Sequence, residues 1–217
     1  MRIAIFLYDG MTSLDAIGPF DVLQHLPGAE MVFVGDTAGV KRTSGQPLGL
    51  VADRGFADVP SADILLVPGG DQERVMRDAA TLAWVRRVHE TTTWTTSVCT
   101  GSLILAAAGL LRGLHATTHW AVLDELREFG ATPVSERVVE QGKIVTAAGV
   151  SAGIDMALRL VARIAGDDLA RGIQLGIEYD PAPPFDAGSP RKAPPHIVDL
   201  VRQMMGQMRA ASAAPAT

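Results

Sequence analysis

The sequence predicts an α/β fold: a mostly parallel sheet with helices on both faces, and a cysteine at the turn between one strand and the next helix. Three observations carry this. Short apolar runs of strand length alternate with longer segments whose apolar residues recur at helical spacing. The apolar runs show little polar alternation, as strands covered on both faces do. With 217 residues, 47% of them hydrophobic, the chain can bury one sizeable core, so a single domain over 1–209 is expected, followed by a disordered tail, 210–217.

Arg2 to Tyr8 is apolar, β-branched and aromatic, stops at Asp9-Gly10, and reads as a central strand. In Ser13 to Leu26, Leu14, Ile17, Val22, Leu23 and Leu26 mark a helix with Ser13 as N-cap and Pro27-Gly28 as its stop. Met31 to Val34 is a strand, and Lys41 to Ala52 a hairpin about Ser44-Gly45-Gln46-Pro47. Ile64 to Val67 is a strand halted by Pro68-Gly69-Gly70; Ala79 to Glu90 is a helix, and Thr95 to Val98 a strand. Thr100 to Leu111 then forms an apolar helix ending near Gly113, which leaves Cys99 at a strand-to-helix elbow. A short strand His115 to Thr118, a helix Leu123 to Phe129, a hairpin Arg137 to Ala147 about Gln141-Gly142 and an apolar helix Ile154 to Ala165 follow. After Tyr179 the prolines of PAPPFDAGSPRKAPP exclude helix and central strand, and Ile197 to Met208 is the last, amphipathic helix.

Nineteen Lys and Arg against twenty-four Asp and Glu give a formal charge of -5 without a basic run, so no nucleic-acid partner is expected. The first apolar run is too short for a signal segment or a membrane span, so a cytoplasmic protein with no membrane partner is expected. One cysteine forms no internal disulfide, and the five histidines include no Cys/His pair at zinc spacing, so no metal is expected.

In an open α/β sheet the ligand crevice lies beyond the carboxyl ends of the strands, where Asp15, Gly69-Gly70 and Cys99 should converge. A thiol before a helix feels the helix dipole, which lowers its pKa and makes Cys99 a candidate nucleophile. The N–H groups of Gly69, Gly70 and Thr100 form a candidate anion hole, and the Thr100 hydroxyl is a further candidate catalytic group. Each has a plainer reading. Cys99 is equally well a small buried hydrophobe, Asp15 a first-turn acid complementing the dipole, and Pro68-Gly69-Gly70 an ordinary turn. His119 is a possible thiol partner or a histidine packed beside Trp120.

Ser97-Val98-Cys99-Thr100-Gly101-Ser102, Pro68-Gly69-Gly70, Ala116-Thr117-Thr118-His119-Trp120 and Ala152-Gly153-Ile154-Asp155 together resemble the DJ-1/PfpI superfamily over nearly the whole chain. Leu14-Asp15, Gly18-Pro19, Asp21-Val22-Leu23 and the late Glu178-Tyr179, Pro181-Ala182-Pro183-Pro184-Phe185 resemble its isocyanide hydratase branch, where an aspartate stands in place of the glutamate of DJ-1-like members. The resemblance implies a flavodoxin-like sandwich and a homodimer without metal or cofactor. It also implies hydration of isocyanides to N-substituted formamides through a thioimidate on Cys99, with Asp15, its pKa raised by burial, as proton donor. Gly149 would let the helix after it shift, or is a simple loop glycine. Similar sensor domains in AraC-like regulators carry a helix-turn-helix domain downstream; with about ten residues after the last helix, none is expected here. Glyoxalase-like hydration of α-oxoaldehydes, a cysteine redox sensor and, last, a cysteine peptidase are the rival readings.

Overall fold

β1 (Arg2–Phe6) takes an interior place in a seven-stranded sheet, as its unbroken apolar run requires: Ile3, Ala4, Ile5 and Phe6 are all buried. The computed structural model describes residues 1–44 and 48–213. In chain order there follow α1 (Ser13–Leu23), β2 (Glu30–Gly35), β3 (Gly39–Arg42), β4 (Gly49–Ala52), β5 (Arg54–Gly55), β6 (Ile64–Val67), α2 (Glu73–Arg77), α3 (Ala79–Thr91), β7 (Trp94–Val98) and α4 (Gly101–Ala107). The chain continues with β8 (His115–Ala116), a 3-10 helix (Trp120–Phe129), β9 (Thr132–Pro133), β10 (Val138–Gln141), β11 (Ile144–Ala147), α5 (Ala152–Ala165), α6 (Asp167–Gly176) and α7 (Pro195–Ala213).

The sheet order is β10-β11-β7-β6-β1-β2-β5, and every neighbouring pair is parallel except β10 with β11. β1, β6 and β7 are therefore adjacent and run the same way, which brings their carboxyl-end loops to one place. One hydrophobic cluster joins Ile3 and Ile64 to Val22 and Leu23 of α1 and to Leu160 and Val161 of α5. The larger one gathers Phe6, Phe56 and Trp84, the last two stacked at 4.5 Å. Contacts gather the chain into two compact units, Met1–Glu178 and Tyr179–Thr217. The sheet and both clusters lie in the first, inside the single domain expected over 1–209; the second holds the proline-rich run and α7. No helix among the described residues is long and apolar enough to cross a membrane.

Several boundaries differ from the sequence reading for physical reasons. Ser13 is the first helical residue rather than the cap: Thr12 takes the cap position, without a capping side-chain bond. α4 stops at Ala107 rather than Leu111 because Gly109 adopts φ 82°, with Gly109 N–H on Ala106 O and Leu110 N–H on Leu105 O closing the helix end. The helix expected over Leu123 to Phe129 is a 3-10 helix that begins at Trp120 and is kinked at Val122. α7 runs to Ala213, so 210–213 are helical rather than disordered, as suits an alanine-rich stretch. Both hairpins are present, β3 with β4 and β10 with β11. The Gly45-Gln46-Pro47 part of the first turn, and 214–217 of the expected tail, lie outside the described residues.

Candidate active site

Asp15, in the first turn of α1, is fully buried. Its Oδ2 accepts the Gly69 N–H at 2.9 Å, while Oδ1 is buried with no hydrogen-bond partner among the described residues. A carboxylate with so little to replace water resists ionisation. Burial raises its pKa to about 7, against the opposing pull of the Gly69 N–H and the neighbouring Cys99 thiol.

Cys99 sits between β7 and α4 with φ 55°, an uncommon conformation for a residue with a side chain. Its N–H is shared between Ala147 O and Ala148 O, both at 3.1 Å. Its carbonyl accepts the Thr118 hydroxyl at 2.9 Å and the Ser102 hydroxyl at 3.3 Å. The expected lowering of the thiol pKa is corrected here. Burial, and then the Asp15 carboxylate, push the Cys99 thiol well up, and the Thr100 N–H and hydroxyl offset only part of this. A buried thiol before a helix of seven residues feels desolvation more than the dipole.

The expected anion hole is corrected as well. The Gly69 N–H is committed to Asp15, and the Gly70 N–H donates to Thr100 Oγ1 at 2.9 Å, with that hydroxyl 3.2 Å from Gly70 O as its acceptor. These two amides hold the carboxylate and the threonine in place; of the three, only the Thr100 N–H faces the sulfur. Glycine is required at position 69 by space: a Cβ there would lie 2.5 Å from Thr100 N and 3.0 Å from Asp15 Oδ2.

The structure thus brings Asp15, Gly69, Gly70, Cys99 and Thr100 together, and sets His119 and Gly149 together beside them. His119 is half-buried and accepts the Ala121 N–H through Nδ1 at 3.3 Å; burial holds its pKa below the usual histidine range. Among the described residues no hydrogen bond joins its ring to Cys99, so its expected role as thiol partner has no direct contact behind it. Gly149 backs onto that ring, where a Cβ would come within 2.2 Å of His119 Cδ2, which gives the glycine a packing reason.

Three polar neighbours were not singled out from the sequence. Thr118 and Ser102 hold the Cys99 carbonyl, and the buried Tyr8 hydroxyl donates to Pro68 O at 3.2 Å, beside the Gly69 turn. Thr118 and Ser102 lie within the Ala116–Trp120 and Ser97–Ser102 motifs, which carry their signal; Tyr8 ends an apolar strand and by pattern is core.

The model of the DJ-1/PfpI family matches residues 1–163. Isonitrile hydratase of Pseudomonas putida is 45% identical over 204 residues, covering 94% of this chain and 89% of that protein. The crystal structure of a THiJ/PfpI family protein from Pseudomonas syringae superposes with a TM-score of 0.91 at 36% identity, covering 98% of this chain and 90% of that one. Drosophila melanogaster DJ-1beta shares the fold at 19% identity, with a TM-score of 0.73 over 82% of this chain and 97% of that one.

Proposed function

Since the chain belongs to the DJ-1/PfpI family, we propose that it hydrates isocyanides to N-substituted formamides, with Cys99 as nucleophile and Asp15 as the group that carries the proton. The observation that carries this reading is the pairing of a fully buried carboxyl, one oxygen of which has no hydrogen-bond partner among the described residues, with a buried thiol that it helps to keep protonated. The similarity to an isonitrile hydratase over nearly the full length of both chains supports the substrate class.

The Asp15 carboxylate takes the thiol proton as the sulfur adds to the terminal carbon of R–N≡C, and the same proton goes to that carbon, giving the thioimidate R–N=CH–S. Asp15 takes a proton from water as the oxygen adds to the thioimidate carbon and passes it to the nitrogen; the C–S bond then breaks as the adduct's hydroxyl proton goes to the sulfur, releasing R–NH–CHO. One isocyanide and one water are consumed and the carbon stays at the formate oxidation level, so the sequence of steps calls for no redox cofactor. The Thr100 N–H steadies the sulfur as charge moves on and off it. A homodimer is the assembly proposed for this chain, as the resemblance implies.

The test is the ultraviolet appearance of N-(4-nitrophenyl)formamide from 4-nitrophenyl isocyanide. Wild type is expected to turn over, with Cys99→Ala inactive and Asp15→Asn reduced at least ~100-fold, the usual scale of a lost proton-transfer group. A wild type that forms no formamide refutes the reading.

A further inference from the structure

The Cys99 backbone conformation, with φ 55°, is one that a residue with a side chain rarely adopts and keeps only where its surroundings hold it. On the amino side the hold is the shared bond from the Cys99 N–H to Ala147 O and Ala148 O. On the carbonyl side it is the Thr118 hydroxyl at 2.9 Å, with Ser102 Oγ more distant at 3.3 Å. The Cys99 carbonyl and the Thr100 N–H belong to one planar peptide unit and point to opposite sides of it. Whatever fixes the carbonyl therefore fixes the direction of the amide. Thr118 is itself well placed to do so: it is buried, and the preceding residue is pinned to the sheet by the Thr117 N–H on Thr146 Oγ1 of β11 at 2.9 Å.

We propose that Thr118 is a positioning residue for the reaction: its hydroxyl holds the Cys99 carbonyl so that the Cys99–Thr100 peptide aims the Thr100 N–H at the sulfur. The bond runs in series, hydroxyl to carbonyl and amide to sulfur, so the first polarises the second. The inference rests on the reading of Cys99 as nucleophile. It concerns the readiness of the sulfur to carry charge, whatever the electrophile.

The experiment follows alkylation of Cys99 by iodoacetamide against pH, and kcat and KM for 4-nitrophenyl isocyanide, in wild type, Thr118→Val and Thr118→Ser. Valine keeps the shape without the hydroxyl; serine keeps the hydroxyl. For Thr118→Val, alkylation at fixed pH is expected to slow roughly threefold to tenfold, the scale of one hydrogen bond, with its pH midpoint moved upward. In the same variant kcat falls by a similar factor while KM stays within about twofold. Thr118→Ser is expected to restore both to within about twofold of wild type. Alkylation of Thr118→Val indistinguishable from wild type, or a serine variant no better than the valine one, overturns the inference. Should Thr118→Val not fold, Thr118→Ala carries the same expectation. Since alkylation needs no isocyanide, a wild type that hydrates none but shows the shift and its rescue refutes the proposed function and upholds this one.

Discussion

The two oxygens of Asp15 are in different circumstances, and the difference sets how the protein responds to pH. Oδ2 has the Gly69 N–H; Oδ1 has no partner among the described residues, and burial raises the carboxyl pKa from 3.8 to about 7. The folded-state pKa lies above the unfolded one, so the stabilising effect of holding that proton is complete below about pH 4 and is lost as pH rises toward 7. Relative to Asp15→Asn, which has no proton to lose, wild type should therefore give up on the order of 4 kcal/mol of stability between pH 4 and pH 8. Urea unfolding of both proteins at the two pH values measures this; a difference that does not change with pH sinks it. The same proton governs rate. Below about pH 7 the pair of Asp15 and Cys99 holds two protons, and above it one, which serves either as thiol with carboxylate or as thiolate with acid. Hydration by wild type is expected to rise with pH through about 7 and then level. A rate that falls through that range would show that the doubly protonated pair is the active one, and a flat rate that the proton on Asp15 does not govern turnover.

Gly149, in the turn between β11 and α5, shows how one element constrains another. The absent side chain lets the turn rest on the His119 ring, where a Cβ would be 2.2 Å from Cδ2. Gly149→Ala should cost roughly 1–3 kcal/mol of stability, as overpacking does, and most of that loss should vanish in a protein that also carries His119→Ala. Thermal melts of the four members of that cycle decide it: additive losses would mean that the two residues do not meet. No sequence pattern announces such a contact, because it joins a loop glycine to a residue thirty positions away (149 minus 119). The same limit explains the misplaced anion hole. The glycines at 69 and 70 are legible as close-approach positions, but which oxygens their amides serve is decided by α1 and α4 folding onto them. Strands β1, β6, β7 and both hairpins were legible because apolar runs and turn residues bound them. α6 carries acids at its start and the apolar Leu169 and Ile173, with Ile177 just past its end, but glycines at 172 and 176 weaken a helical pattern. Strands of two residues, such as β5, β8 and β9, are too short to leave a pattern.

At the scale of the whole molecule, the order of the strands turns three separate motifs into one site. Alternating elements in the sequence imply a parallel sheet, yet only the observed order, with β6 between β1 and β7, makes the Asp15, Gly69 and Cys99 loops neighbours. That order, and both hydrophobic clusters, are complete by Glu178. The expectation of one domain extending to residue 209 can therefore be put to a physical test. A chain ending at Glu178 keeps the seven strands and every residue that holds Asp15 and Cys99, so it should unfold in one cooperative transition and show the same pH midpoint for alkylation of Cys99 as the full chain. Hydration of 4-nitrophenyl isocyanide by that shortened chain then isolates the contribution of Tyr179 and the proline-rich motif, on which the resemblance to the hydratase branch in part rests. A broad transition, or an altered midpoint for Cys99, would mean that the first unit depends on residues beyond Glu178 for its fold.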